Sequence, residues 1–511
     1  MKKILISGGI VVALSLAVCF ARLGTAPIQK WDEGIHGSVS LEFWQGNDWA
    51  LTYHQQPYFA KPPLRFWLTA PIVEQFGATE VSMRFWSAVA GVATAMLLWW
   101  WAFQATKTAW VGVSTAIVFL LGRFIFFHSF RTGETDGILV FLMTGAMYAY
   151  WRWWERRVWW IGIGLCIGLT FLTKPMFGVF PFAIIGLDLL MSRALSRERI
   201  IDMVQAFGVS LLVAAPWHIA MTMRFGQAFW DSFVGFNVLQ RAGDTLYKNH
   251  VPWWWYGKVI AMRFFPFVTL LPMALLTTLK SMVRAGRSIE RLLFIWAAVI
   301  FTAFSLIQTK FDWYVLPLYP ALALMIGVAM RTWWQQQRRS MIVGVLVALG
   351  IVWYVAESQV DLSGPIRFIT PFGYLPSGVP KIISALGVPL IGIAVLWKKN
   401  PLRYAQSIGL LAVLAITGIA GWYSFSELRH LPTTSGAKEI AAVLREKNIS
   451  SVDLVGFDAR SYPNLYFYLR QRPELQINEG LPSVRPHQTT ITLAGDQGGE
   501  VFGEFRLLAQ P

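Results

Sequence analysis

The residues able to carry charge or move protons in this chain fall into short clusters that follow one another in order. Trp31-Asp32-Glu33 puts two adjacent carboxylates just after the first apolar run. Such a pair serves as general base or metal ligand, or is simply a solvated loop. Lys61-Pro62-Pro63 sets a cation before two prolines that fix the backbone at a helix entry. A lysine snorkelling at an interface has the same pattern. Arg131-Thr-Gly-Glu-Thr-Asp136 opens another apolar run, where acidic groups also favour a helix N-terminus. Gly168 to Lys174-Pro175 follows, then Leu239-Gln240-Arg241, then His250 ahead of Pro252-Trp-Trp-Trp-Tyr256. Lys310-Phe-Asp-Trp-Tyr314, ahead of Leu316-Pro317, closes the series. The aromatics of the last two clusters also suit a membrane-interface belt. A lone histidine such as His250 is not a metal site.

These clusters adjoin long apolar runs. Of 511 residues 55% are hydrophobic and 14% charged, well below the quarter charged of soluble domains. The runs accommodate about 13 helical spans of about 20 residues each. The first, 4–20 behind Lys2-Lys3, reads as a retained span rather than a cleaved signal. The others are 84–103, 109–129, 137–151, 158–173, 175–191, 203–223, 256–279, 292–308, 313–330, 341–356, 382–397 and 405–425. The chain is therefore a polytopic α-helical membrane protein. A soluble enzyme, a disordered chain and a disulfide scaffold are excluded, and continuous rather than alternating runs exclude a β-barrel. Cys19 and Cys166 lie inside apolar runs as packed thiols.

Net charge is +16. In a soluble protein that would suggest nucleic acid; here the cations gather at alternate span ends, at Lys107, Arg152/Arg156/Arg157, Arg193/Arg197/Arg199, Lys280/Arg284/Arg287, Arg331/Arg338/Arg339 and Lys398/Lys399/Arg403. That is the cytoplasmic pattern. It predicts a cytoplasmic N-terminus, a multi-pass protein of the plasma (inner) membrane, and every chemical cluster on the outer face. Residues 1–428 then form the membrane domain, with an outer loop at 22–83 carrying two short amphipathic helices, near 34–45 and 64–76, at the interface. Residues 429–511 mix both signs of charge and read as a small outer α/β domain, with helices at 435–447 and 462–469 and a strand at 451–457. There is no internal repeat of the kind secondary transporters show.

Taken in order, Asp32-Glu33, Tyr58-Phe-Ala-Lys-Pro-Pro63, Thr135-Asp136, Lys174-Pro175, Pro252-Trp-Trp-Trp-Tyr256 and Lys310 to Pro317 resemble the aminoarabinose (lipid A) transferase family. More distantly they resemble the protein O-mannosyltransferases. The resemblance implies a C-class glycosyltransferase fold and transfer of a sugar from a polyprenyl-phosphate carrier to a lipid A-like, glycan or protein acceptor at the outer face. It implies catalytic roles for Asp32, Glu33 and Asp136, and donor-phosphate contacts from Lys61, Arg241, Lys310 and Tyr314. Arg131, Lys174 and His250 are secondary candidates. Membrane lipids are partners, and no nucleic acid is. Two departures concern a metal. Members usually carry Glu before Lys-Pro-Pro and His shortly before the Arg; here those positions hold Ala60 and Val238. The family's metal ligands are thus missing, so no cofactor is expected, and a divalent metal would have to use other groups. The rival readings are a flippase for a lipid-linked saccharide and a family member without activity.

Overall fold

The structure, a computed structural model, describes residues 2–46, 48–240, 243, 251–279, 282, 286–336, 417–418, 420–422, 424–481, 488–493 and 500–508. Apolar segments become helices because a helix satisfies its own backbone groups where no water can. The elements are α1 (Lys2–Phe20), α2 (Asp32–Gln45), a small hairpin β1 (Thr52–Tyr53) and β2 (Gln56–Pro57), α3 (Leu64–Phe76), α4 (Glu80–Thr106) and α5 (Ala109–Leu120). Then come α6 (Asp136–Trp153), α7 (Trp160–Phe171), α8 (Val179–Met191), α9 (Arg197–Phe225) and α10 (Gln227–Trp230), which runs into a π-helix Asp231–Gln240. Beyond lie α11 (Trp255–Arg263), α12 (Leu271–Leu279), α13 (Ile289–Leu306) and α14 (Tyr319–Gln336).

Among the described residues, five helical stretches are long and apolar enough to cross a membrane: Lys2–Phe20, Glu80–Thr106, Arg197–Phe225, Ile289–Leu306 and Asp312–Thr332. Predicted spans 341–356 and 382–397, and most of 405–425, lie outside the described residues. Two other spans are interrupted. The expected span 109–129 ends as α5 at Leu120, and a turn of 3₁₀-helix, Arg123–Phe126, starts the loop to α6. There Ser129 Oγ donates to the Phe124 and Ile125 carbonyls that a continuing helix would have used. The span expected at 256–279 is broken between α11 and Phe267, where Pro266 has no N–H to give.

The outer loop holds two helices where two were expected, but α2 is not a one-sided amphipathic helix. Its residues Glu33, Gly34 and His36 through Leu41 are all buried. Protein covers it nearly all round, so it needs no polar face. One cover is α3; the other is the helix α16 (Pro463–Arg470) from the far end of the chain. A Cβ on Gly34 would lie 2.6 Å from the Asn464 backbone nitrogen, and one on Gly37 would lie 2.9 Å from the Phe467 ring. Only glycine allows this approach. Tyr466 Oη donates to Glu42 (2.8 Å), and Tyr468 Oη donates to Glu80 (3.0 Å) while accepting from Ile28 N (2.8 Å).

The C-terminal residues also contain α15 (Gly436–Glu446), capped by Ser435, and strands β3 (Ser451–Val455), β4 (Gln476–Leu481), β5 (Thr490–Leu493), β6 (Glu500–Phe502) and β7 (Phe505–Leu508). Their order is β4-β3-β5-β7-β6, with β3 parallel to β4 and β5 and the rest antiparallel. The sequence reading foresaw both helices and β3. The other four strands, three to six residues each, are too short to announce a period.

Candidate active site

The site forms where the N-terminus of α2, the loop between α5 and α6, the start of α8 and the entry to α14 meet. Glu33 fixes the first of these. It is buried (1% exposed), and each of its oxygens accepts two hydrogen bonds. Oε1 takes Arg84 Nε (2.7 Å) and Gly133 N (2.6 Å); Oε2 takes Arg84 Nη2 (2.9 Å) and Gln29 N (2.7 Å). Burial alone would raise the Glu33 pKa, but Arg84 and the two backbone donors hold it below the ordinary carboxylate range. Arg84 in turn donates to the carbonyls of Leu23, Ala26 and Pro27. One ion pair thus joins the segment after α1, the start of α2, the start of α4 and the α5–α6 loop. With all four acceptor directions used, Glu33 has no lone pair left for a substrate proton.

Asp32, next to it, is open: its side chain is 39% exposed. Desolvation raises its pKa, and Lys61, His36, His128 and Lys174, in that order, pull it below the usual value. It is a carboxylate at neutral pH. Lys61, which Pro62 and Pro63 lead into α3, is therefore close enough to act on it. Asp136 begins α6, with Oδ1 2.7 Å from Lys174 Nζ. Lys174 in turn lies 5.9 Å from the ring of Tyr314. These five predicted residues, Asp32, Lys61, Asp136, Lys174 and Tyr314, are brought together.

Others are placed differently. Arg131, a secondary candidate, donates to the carbonyls of Val18 and Ala21 and so caps the end of α1. Lys310 is buried, with Nζ on the Ile307 carbonyl at 2.5 Å. Arg241 and His250 lie outside the described residues.

Two histidines that the sequence reading passed over occupy the centre. His128 lies flat on Trp313, ring centroids 4.0 Å apart and planes 4° from parallel. Its Nδ1 is 3.7 Å from Asp136 Oδ2; its Nε2 is 3.7 Å from Glu134 Oε1 and 3.8 Å from Asp32 Oδ2. Burial lowers its pKa, but Glu134, Asp136 and Asp32 together raise it. His36, one turn along α2 from Asp32, brings Nδ1 to 2.9 Å from Glu134 Oε2. The available signal was the i, i+4 spacing of Asp32 and His36. For His128 there was none, because it fell inside an apolar run read as membrane.

Asp32, His128 and Glu134 form one of two described three-residue groups whose ligand atoms lie within 4.8 Å of one another; the second is His54, Asp458 and Glu479. The ligand expected from the family just before Lys61 is the methyl group of Ala60, so a metal held from that position does not fit this chain.

The chain superposes on ArnT of Cupriavidus metallidurans, solved bound to undecaprenyl phosphate, with a TM-score of 0.66 over 95% of this chain and 93% of that one at 19% identity. Residues 60–219 match the family described as dolichyl-phosphate-mannose-protein mannosyltransferase. The undecaprenyl phosphate-alpha-4-amino-4-deoxy-L-arabinose arabinosyl transferase of Pectobacterium carotovorum is 25% identical over 77% of this chain and 78% of its own length. That of Serratia proteamaculans is 25% identical over 62% and 58%. These likenesses support the grouping that the motifs suggested, the aminoarabinose transferases and their protein O-mannosyltransferase-like relatives.

Proposed function

We propose that this protein is a membrane glycosyltransferase that moves a sugar from a polyprenyl-phosphate carrier to a lipid A-like acceptor. The observation that carries this reading is the meeting of an open carboxylate, Asp32, with Lys61 and the Lys174–Asp136 pair at one end of the spans. A polyprenyl phosphate leaves as an anion, so no acid need protonate it. It needs cations where charge grows, and Lys61 supplies one, with Lys310 and Arg241 as further donors. An acceptor hydroxyl needs a base, and Asp32 is ionised and accessible. An acceptor phosphate already bears charge and needs chiefly orientation. Direct displacement inverts the anomeric centre. Glu33 positions Asp32 and does not itself react. The site faces the periplasmic side of the inner membrane, so reporter fusions after Arg157 read cytoplasmic and those after Arg470 read external.

The test is release of free polyprenyl phosphate from a synthetic polyprenyl-phosphate sugar by purified protein supplied with lipid A. Asp32→Asn lowers turnover by about 10²–10⁴ with donor binding retained. Lys61→Ala loses more turnover than affinity, since charge on the leaving oxygen grows toward the transition state. Unchanged release in both variants refutes the assignment. Carriage of the lipid across vesicles without release from the wild type replaces it with the flippase reading.

A further inference from the structure

The α5–α6 loop and the start of α2 concentrate buried polar atoms that make no hydrogen bond, Thr132 Oγ1 and Thr135 Oγ1 among them, while His36 Nδ1 meets Glu134 Oε2 as an ion pair at 2.9 Å and His128 Nδ1 faces Asp136 Oδ2 at 3.7 Å. Buried polar atoms are normally satisfied. Beside them, one ligand atom each of Asp32, His128 and Glu134 converges within 4.8 Å of the others. Glu134 is 2% exposed and His128 and Asp32 are partly so, which leaves an approach from the Asp32 side.

We propose that Asp32, His128 and Glu134 bind a divalent first-row cation, zinc above all, at a place the family's own ligand positions do not provide. The spacing fits. Two ligand atoms about 2.1 Å from one ion at tetrahedral to trigonal angles lie about 3.4–3.6 Å apart. His128 Nε2 stands 3.7 and 3.8 Å from its two carboxylate oxygens, a few tenths from that separation. The surroundings fit as well. A ligating imidazole usually directs its other nitrogen at a carboxylate, which fixes the tautomer. His128 turns Nδ1 to Asp136, and Asp136 is itself held by Lys174. Trp313 fixes the plane of the ring. One imidazole and two carboxylates are ligands that zinc accepts, and three protein ligands leave a fourth position open. That position suits an oxygen of a phosphate or of a hydroxyl. Ligation through Oδ2 leaves the other Asp32 oxygen for the acceptor.

The inference rests on the transferase reading only for its purpose, and its test does not use activity. Full-length protein in detergent is stripped with a chelator, reloaded with zinc alone, passed through a sizing column and assayed for bound metal. The wild type retains about one zinc per chain. His128→Ala and Glu134→Gln bind at least tenfold more weakly. Asp136→Asn, which removes the carboxylate behind the imidazole and beside Lys174, weakens binding by about 10–100-fold. Sizing profiles and melting curves identify any variant that has not folded, and Glu134→Gln, a near-isosteric change, then stands for the set. His218→Ala, on α9, binds as the wild type does. A wild type that comes through without zinc overturns the proposal. So does a His128→Ala protein that keeps it, or a His218→Ala protein that loses it. Zinc binding without sugar transfer refutes the transferase reading alone, and transfer by a protein that takes up no zinc refutes the metal site alone.

Discussion

Glu33→Gln distinguishes a residue that holds the site from one that reacts in it. The change keeps shape and volume and replaces one oxygen by an NH₂. Each Glu33 oxygen now accepts two N–H donors, so in either orientation of the amide the NH₂ faces two donors. The Arg84 guanidinium loses its counter-charge while remaining 2% exposed. Removing one partner of such a buried pair costs about 3–5 kcal/mol. Three carbonyl acceptors still hold Arg84, which puts the expected loss at the low end, about 3 kcal/mol. Thermal unfolding in detergent, followed alongside turnover on a synthetic donor, reads both consequences. Because the ion pair works as a unit, Arg84→Gln should lower stability and turnover by similar amounts, and the double variant should cost much less than the sum. The positioning argument fails if Glu33→Gln melts like the wild type. It fails equally if Glu33→Gln abolishes turnover while Arg84→Gln, equally destabilised, still turns over well, because Glu33 would then be reacting itself.

Lys174→Met strands the Asp136 carboxylate at 2% side-chain exposure, so the single variant should lose about 3–5 kcal/mol and the double variant with Asp136→Asn should recover part of it in the same melting assay. Gly34→Val should force α2 from α16, because its Cβ meets backbone rather than a flexible side-chain end; a loss of about 1–3 kcal/mol and faster proteolysis after Leu428 should both appear, and a silent substitution would show that the two helices part freely. Asp48 takes both Arg224 Nη groups at 2.6 Å, and these bonds lower its pKa. Its stabilising contribution is therefore present above the ordinary aspartate pKa and fades as pH falls through the lowered one. The pair is exposed, so the effect is small: acid should lower the melting temperature of the wild type slightly more than that of Asp48→Asn, with added salt shrinking the difference.

The sequence alone determined the class of protein and the membership of much of the site. Long apolar runs with cations at alternate ends admit little besides a polytopic helical membrane protein, because backbone in hydrocarbon must bond to itself. Asp32, Lys61, Asp136, Lys174 and Tyr314 were legible because charged and aromatic groups at span ends are costly unless used. Tertiary structure decided what each of them touches. Asp32 and Glu33 are neighbours of the same type, yet one is open and the other takes four hydrogen bonds, a difference set by Arg84, 51 positions away, and by the Gly133 amide. Arg131 reads as a cation beside the site, and the fold places its guanidinium on the carbonyls that end α1. His128 carried no local signal, because Asp32 of α2 and Trp313 before α14 lie far from it in sequence, and only folding brings them to 3.8 Å from its Nε2 and 4.0 Å from its ring centroid. Periodicity and composition report which face a residue prefers. Which charges meet depends on how the helices pack, and packing is a property of the whole chain.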